Sequence, residues 1–339
     1  MRRASKVALG CLLSPLALLV VALIFVLSAR MSGVPEPSMV DTELGQKVPT
    51  ELSAPNPSTN RTRLERRETA EPNEEARTPE NTVRVVIELE EAEFHIEPQP
   101  AKDGIKVEAK YDESSYDLVQ NYGVDKDGTP TYHLSFKARI HWLKRVLASG
   151  DFTDDDHPDN RIAVRLPVDT PMELQISLAK GQGKIDLTNL ALSKLTTKLT
   201  MGEYQMDVDR SNSLDMSRFS LEGKMGEFEI NGVSRLAARS ILIVGGMGEM
   251  RVHFGGPLLR DSSLVTNMRM GEMSLRLPDN ALWDGDGKAV FGEVTGGEGQ
   301  GEISDPEGPR LSYRSRVSFG ELSIFPYHVE TPSLERRRD

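Results

Sequence analysis

The chain has 339 residues, with 52 Asp+Glu against 41 Lys+Arg and a formal net charge of −11, which argues against a basic surface built to hold nucleic-acid phosphate. Partners are expected instead among proteins, neutral polymers and cations. A single cysteine, Cys11, excludes an intramolecular disulfide framework and any CxxC zinc or thiol-redox site.

Arg2, Arg3 and Lys6 precede an uncharged run at residues 7–29, rich in Leu, Val and Ala and closed by Arg30. At 1.5 Å per residue, such a helix spans a hydrocarbon core of roughly 30 Å. A cleaved signal peptide is the competing reading, but its apolar region should hold only about 7 to 15 residues, so an uncleaved signal anchor fits better. Gly10-Cys11 resembles a lipoprotein cleavage box, yet the apolar run follows this cysteine, and lipidation is rejected. Three positive charges before the span, against Arg30 after it, place residues 1–6 in the cytoplasm by the positive-inside bias. The expectation is a single-pass plasma-membrane protein whose bulk is extracytoplasmic.

Residues 30–80 hold Pro35, Pro37, Pro49, Pro55, Pro57, Pro72 and Pro79 among Ser, Thr, Asn, Glu and Arg. Too little apolar surface is present to offset the entropy of ordering, so a disordered linker is expected. From Asn81 the pattern turns to short alternating runs: Val83, Val85, Ile87 and Leu89, then Ile105 and Val107, then Leu134 and Phe136. Asp103-Gly104 and Asp127-Gly128 supply hairpin turn signals. Residues 141–148 (HWLKRVLA) alone fit a helical turn or two, and acidic residues 151–159 read as an exposed loop. Residues 81–160 are therefore expected to form an N-terminal β region ahead of the repeats.

Those repeats carry most of the information. Met201-Gly202-Glu203, Met225-Gly226-Glu227, Met247-Gly248-Glu249 and Met270-Gly271-Glu272 are followed by Phe291-Gly292-Glu293 and Phe319-Gly320-Glu321, with glycines 24, 22, 23, 21 and 28 residues apart. A degenerate copy at Gly181-Gln182-Gly183 begins the series. Apolar or small residues alternate up to each Met or Phe, as in Phe219, Leu221, Gly223 and Met225, and alternate again after each Glu. If Met is the last inward residue, the next lies three positions on, and the two-residue period slips by one. A bulge or corner makes such a slip, and glycine tolerates the positive φ it requires. Each unit is thus a strand, a glycine corner, a second strand and a polar turn. Units of about 22 residues cannot bury their faces alone and must stack. The expected fold class is all-β, a single-stranded β-helix or β-roll solenoid over residues 161–328, with a disordered tail at 329–339.

Residues 166–199 also carry a family likeness, in Pro167, Pro171, Gly181, Gly183, the Ile185-Asp186-Leu187 strand, Leu190 and Leu195. This stretch resembles the opening of the bacterial toastrack and adhesin-like β-helix families, related to the C-terminal domain of membrane proteins of the cell-wall-antibiotic response. The resemblance implies a β-helix over about residues 160–328 and no shared catalytic residues. Met-Gly-Glu stands here where Gly-x-Gly-Asp is usual in those families.

The corner motif is the candidate site, comprising Gly202, Glu203, Gly226, Glu227, Gly248, Glu249, Gly271, Glu272, Gly292, Glu293, Gly320 and Glu321. Its carboxylates read as solvated corner residues, since one per rung offers too few oxygens for calcium. The Met and Phe of the same motif read as an internal stack. Asp154-Asp155-Asp156-His157 reads as an exposed loop and Asp284-Gly285-Asp286-Gly287 as a tight turn. His95, His133, His141, His157, His253 and His328 show no metal-binding spacing, and no GxSxG, phosphate-binding loop or dinucleotide fingerprint is present. No catalytic, cofactor or metal residue is assigned. The expectation is a non-enzymatic interaction or scaffold module of the bacterial envelope, with envelope-stress sensing as a candidate role and a protein or polysaccharide partner. The alternative is a polysaccharide-binding or polysaccharide-processing β-helix.

Overall fold

The computed structural model describes residues 39–46, 81–139, 160–296 and 308–329. The apolar run at residues 7–29, the stretches 141–148 and 151–159 and all of the expected tail at 329–339 but Val329, whose amide donates to Asp279 Oδ1, lie outside them. Among the described residues no helix is long and apolar enough to cross a membrane.

In chain order the strands are β1 (Met39–Gln46), β2 (Val83–Leu89), β3 (Ala92–Gln99), β4 (Ile105–Asp112), β5 (Tyr116–Val124), β6 (Pro130–Ala138) and β7 (Arg161–Pro167). Seven more follow: β8 (Pro171–Asp186), β9 (Ala191–Asp207), β10 (Met216–Asn231), β11 (Ala238–His253), β12 (Ser262–Pro278), β13 (Leu282–Gly296) and β14 (Arg310–Tyr327). All belong to one 14-stranded sheet. From β8 onward each strand is a whole rung, bent at its glycine and paired in parallel with the next, as in Met225↔Met247 and Gly226↔Gly248.

The N-terminal β region is not a separate unit. β2 and β3 pair in parallel with the two halves of β8 and together make one further rung. β6 and β7 make another, parallel to β2 and β3. β4 and β5 run the opposite way, antiparallel to β7 and β6, and close this end of the stack. β1 lies antiparallel on β4, so part of the stretch expected to be wholly disordered linker instead protects a sheet edge. Asp127-Gly128 does form the β5–β6 hairpin, held by Asp125 Oδ1 accepting from the amides of Asp127 and Thr129. Asp103-Gly104 forms a turn but not a hairpin, because β7 comes between β3 and β4.

The core follows from the alternation. In the half-rungs inside the stack alternate side chains are buried, as in Leu174, Ile176 and Leu178, or Phe228 and Ile230. Residues between the strands, Leu187, Leu190, Val208, Val233, Leu236, Phe254 and Leu258, are buried as well and close the third side. The turns are stapled by asparagine: Asn212 bonds both the amide and the carbonyl of Leu192, and Asn280 does the same for Leu258. One contiguous core therefore runs from the first rung to β14, with Trp283 of β13 packed against its end.

At the C-terminal end the order departs from the chain: β14 sits between β12 and β13. The Asp284-Gly285-Asp286-Gly287 stretch, expected to be a tight turn, lies within β13 and pairs with Ser312 to Ser315 of β14. A Cβ at Gly285 would lie 1.8 Å from the Tyr313 carbonyl oxygen, and one at Gly287 would press on the tip of Ile324.

Candidate functional site

The corner is where the repeats differ from an ordinary strand. In each rung the last inward residue before the motif and the first after it are five apart: Leu199 and Tyr204, Gly223 and Phe228, Gly245 and Met250, Met268 and Met273, Val317 and Leu322. An odd interval confirms the phase slip. The residue just before each Met drops out of the ladder, so that Gly223↔Gly245 is followed directly by Met225↔Met247. The corner thus begins two residues earlier than the sequence pattern suggested, and this changes what the Met does.

Gly248 shows why the corner needs glycine. Its φ is +121°, a conformation that L side chains rarely adopt. A Cβ there would lie 2.0 Å from the carbonyl oxygen of Gly226 in the rung below. The same clash, at 1.6 to 2.0 Å, recurs at Gly202, Gly226, Gly271, Gly292 and Gly320. The rungs touch backbone to backbone along this line.

On one side of the glycine line stand Met201, Met225, Met247, Met270, Phe319 and Phe291, in register from rung to rung. They were expected inside. They are instead between 41% and 64% exposed, because the early corner turns the residue before the glycine outward. Phe291 and Phe319 stack on each other at 4.9 Å. The fold does not demand an apolar residue in this row, since its β8 member is Lys180. Beneath the row Tyr204 is buried, donates its hydroxyl to the Met201 carbonyl and stacks on Phe228. Burial pushes the Tyr204 phenol far above its usual range, which keeps it a protonated donor.

On the other side stand Glu203, Glu227, Glu249, Glu272, Glu321 and Glu293, also in register. Glu249 pairs with Arg251 at 2.5 Å. Among the described residues the other five carboxylates make no ion pair. No group of three or more His, Cys, Asp or Glu side chains there is placed to hold a metal ion. The described histidines are scattered: His95 lies by Glu93, His133 by Glu88, His253 by Tyr327 and His328 by Asp279. His141, His157 and the Asp154-Asp155-Asp156 run lie outside the described residues.

The site is therefore a ridge along the stack, with an apolar row and an acidic row separated by side-chain-free glycine backbone. Sequence pattern located every member of it but put the apolar row on the wrong side. A signal was available: counting back two from Met reaches an equally good inward position in each rung, disguised as glycine at Gly223 and Gly245.

No curated protein matches the chain. Two solved structures resemble it. One is a protein from Clostridium sporogenes named for cell adhesion, 13% identical over 73% of this chain and 93% of that one, with a TM-score of 0.36. The other, named as an adhesin, is from Parabacteroides distasonis, 10% identical over 85% of this chain and 98% of that one, with a TM-score of 0.23. The family described as the N-terminal domain of toast_rack, DUF2154, matches residues 59–231, just over half of the chain and the span that runs through β10. With its stacked, glycine-hinged rungs and this match, the chain belongs to the toastrack family.

Proposed function

We propose that this protein is a membrane-tethered interaction module of the cell envelope, without catalytic function, whose contact surface is the corner ridge. One observation carries the reading: six large apolar side chains stand in register on the outside of the stack. Exposed apolar patches of this kind mark interaction surfaces, because leaving them in water forfeits the free energy that burial returns. Methionine suits such a surface, since its unbranched thioether adapts to a partner's shape. The uncharged run at residues 7–29, with Arg2, Arg3 and Lys6 before it, supports a single-pass anchor with the stack extracytoplasmic. Residues 47–80, rich in proline and charge, support a tether between anchor and stack.

The test is photo-crosslinking in native membranes with a photoreactive phenylalanine placed at Met247 or, as control, at Arg218 on the outer face of the first half-rung. A discrete adduct from position 247, absent from position 218 and lost when Glu227 and Glu272 are changed to Lys, is expected. Identical adduct patterns from the two positions would sink the reading.

A further inference from the structure

Two rows of opposite character run side by side along the ridge, and together they describe a partner. From the geometry we infer that the ridge takes a cationic amphipathic helix of another protein, lying along the stack axis. The inference rests on the ridge being the contact surface proposed above.

The match is one of spacing and charge. Adjacent rungs are about 4.8 Å apart, so the apolar row presents one side chain per rung over roughly 24 Å. A helix has a pitch of 5.4 Å and offers one apolar residue per turn at i, i+3 or i+4, and i+7. About 16 residues cover the row, with the two periods drifting apart by only about 3 Å from end to end. Lys or Arg on one flank of that helix would face the glutamate row, where five of the six carboxylates lack an ion pair among the described residues. Lys224 and Arg269 stand on the far side of the methionine row, so the other flank of the helix must be neutral or acidic. That asymmetry sets its orientation.

The same charges disfavour the other occupants. An anionic bilayer would be repelled by the glutamate row. A second copy would bring a second glutamate row against this one, and the cations beside the ridge, Lys180, Lys224, Arg251 and Arg269, are fewer than the six carboxylates it brings. The chain's own residues 61–77 have Leu64 as their sole large apolar residue and cannot supply an apolar stripe.

The experiment uses the full chain and a fluorescein-labelled 18-residue peptide with Leu at helical spacing and Lys along one flank, read by anisotropy. A second peptide carries Glu for every Lys. Saturable binding of the Lys peptide is expected, at least tenfold tighter than that of the Glu peptide and weakening as salt rises. Met225→Ser with Met247→Ser should lower affinity at least tenfold with the melting temperature unchanged, because both side chains are already half in water. Glu227→Lys with Glu272→Lys should invert the preference toward the Glu peptide, which tests the charge match even if the methionine variant is altered in fold. Equal binding of the two peptides, or no saturation by the Lys peptide, overturns the inference. So does methionine-dependent binding to vesicles of phosphatidylglycerol and phosphatidylcholine, or a concentration-dependent dimer that the methionine variant abolishes. A tenfold gain in peptide affinity on changing Trp142 and Leu143 to Ser would assign the ridge to the chain's own residues 141–148, HWLKRVLA, and overturn it as well. If the Lys peptide fails while the crosslink from position 247 persists, only the partner's chemistry falls; if the crosslink is also lost, the contact surface falls with it.

Discussion

At the residue scale, the corner separates two neighbours with opposite sensitivity. Gly248→Val introduces a β-branched side chain at φ +121° and drives its Cβ onto the Gly226 carbonyl. A loss of more than about 2 kcal/mol is expected. Glu249→Gln removes one ion pair with Arg251 whose partners are both partly in water, so less than about 1 kcal/mol is at stake. Thermal melts of equal loss for the two variants would contradict these roles. His253 gives a pH test. Its half-buried ring packs edge-on against Tyr327 at 4.5 Å, and its Nε2 has no hydrogen-bond partner among the described residues. Burial, then Arg276 and Arg235, hold its pKa below the ordinary histidine range. The folded protein thus takes up this proton less readily than the unfolded chain. The stability due to neutral His253 is complete above about pH 6.5 and is lost as pH falls through the lower folded value. Urea unfolding at pH 7.5 and 5.5 should show a decline that His253→Gln reduces, and an unchanged pH dependence in the variant would refute it.

At the element scale, the exchange of order between β13 and β14 has a packing cause. Inward positions of β14 carry Leu311, Tyr313, Val317, Leu322 and Ile324, all buried, whereas those of β13 are Trp283, Gly285, Gly287, Ala289 and Val294. The bulkier rung fills the space beside β12, and the thinner one finishes the stack. Among the described residues β13 is then paired on one side only, and it is exposed along most of its length. Its amides should exchange with solvent faster than those of β14, although β14 lies nearer the chain end. Hydrogen exchange resolved by peptide mass would decide, and greater protection at residues 282–296 than at 310–327 would contradict the order. Nothing in the repeat motif signals this exchange, since Phe-Gly-Glu occurs in both strands and either could pair with Met270-Gly271-Glu272. The difference lies in inward volume, which matters only once a neighbouring rung is present.

For the whole molecule, the charge asymmetry around residues 7–29 predicts the topology. An export-dependent reporter fused after Asp339 should be active, and protease added outside intact cells should remove the stack while sparing the anchor. A reporter protected in the cytoplasm would refute that orientation. What the amino-acid order alone determined was local: the alternation of buried residues, the period of about 22, the glycine corners and their phase slip. These depend on neighbours within one rung, and a residue pattern can carry them. Tertiary structure alone decided that residues 81–139 and 160–167 build rungs of the same sheet, that β4 and β5 reverse to close it, and that Met39–Gln46 adds a strand to β4. It also decided the face of the methionine row. A two-residue alternation shows that a slip occurs between Leu221 and Phe228, but placing it before Lys224 rather than after Met225 depends on how the inward Gly223 makes room for Phe228 and how Gly226 meets the backbone of the next rung. The second of these contacts joins Gly226 to Gly202, 24 residues apart in the chain, and only the stacked fold brings them together.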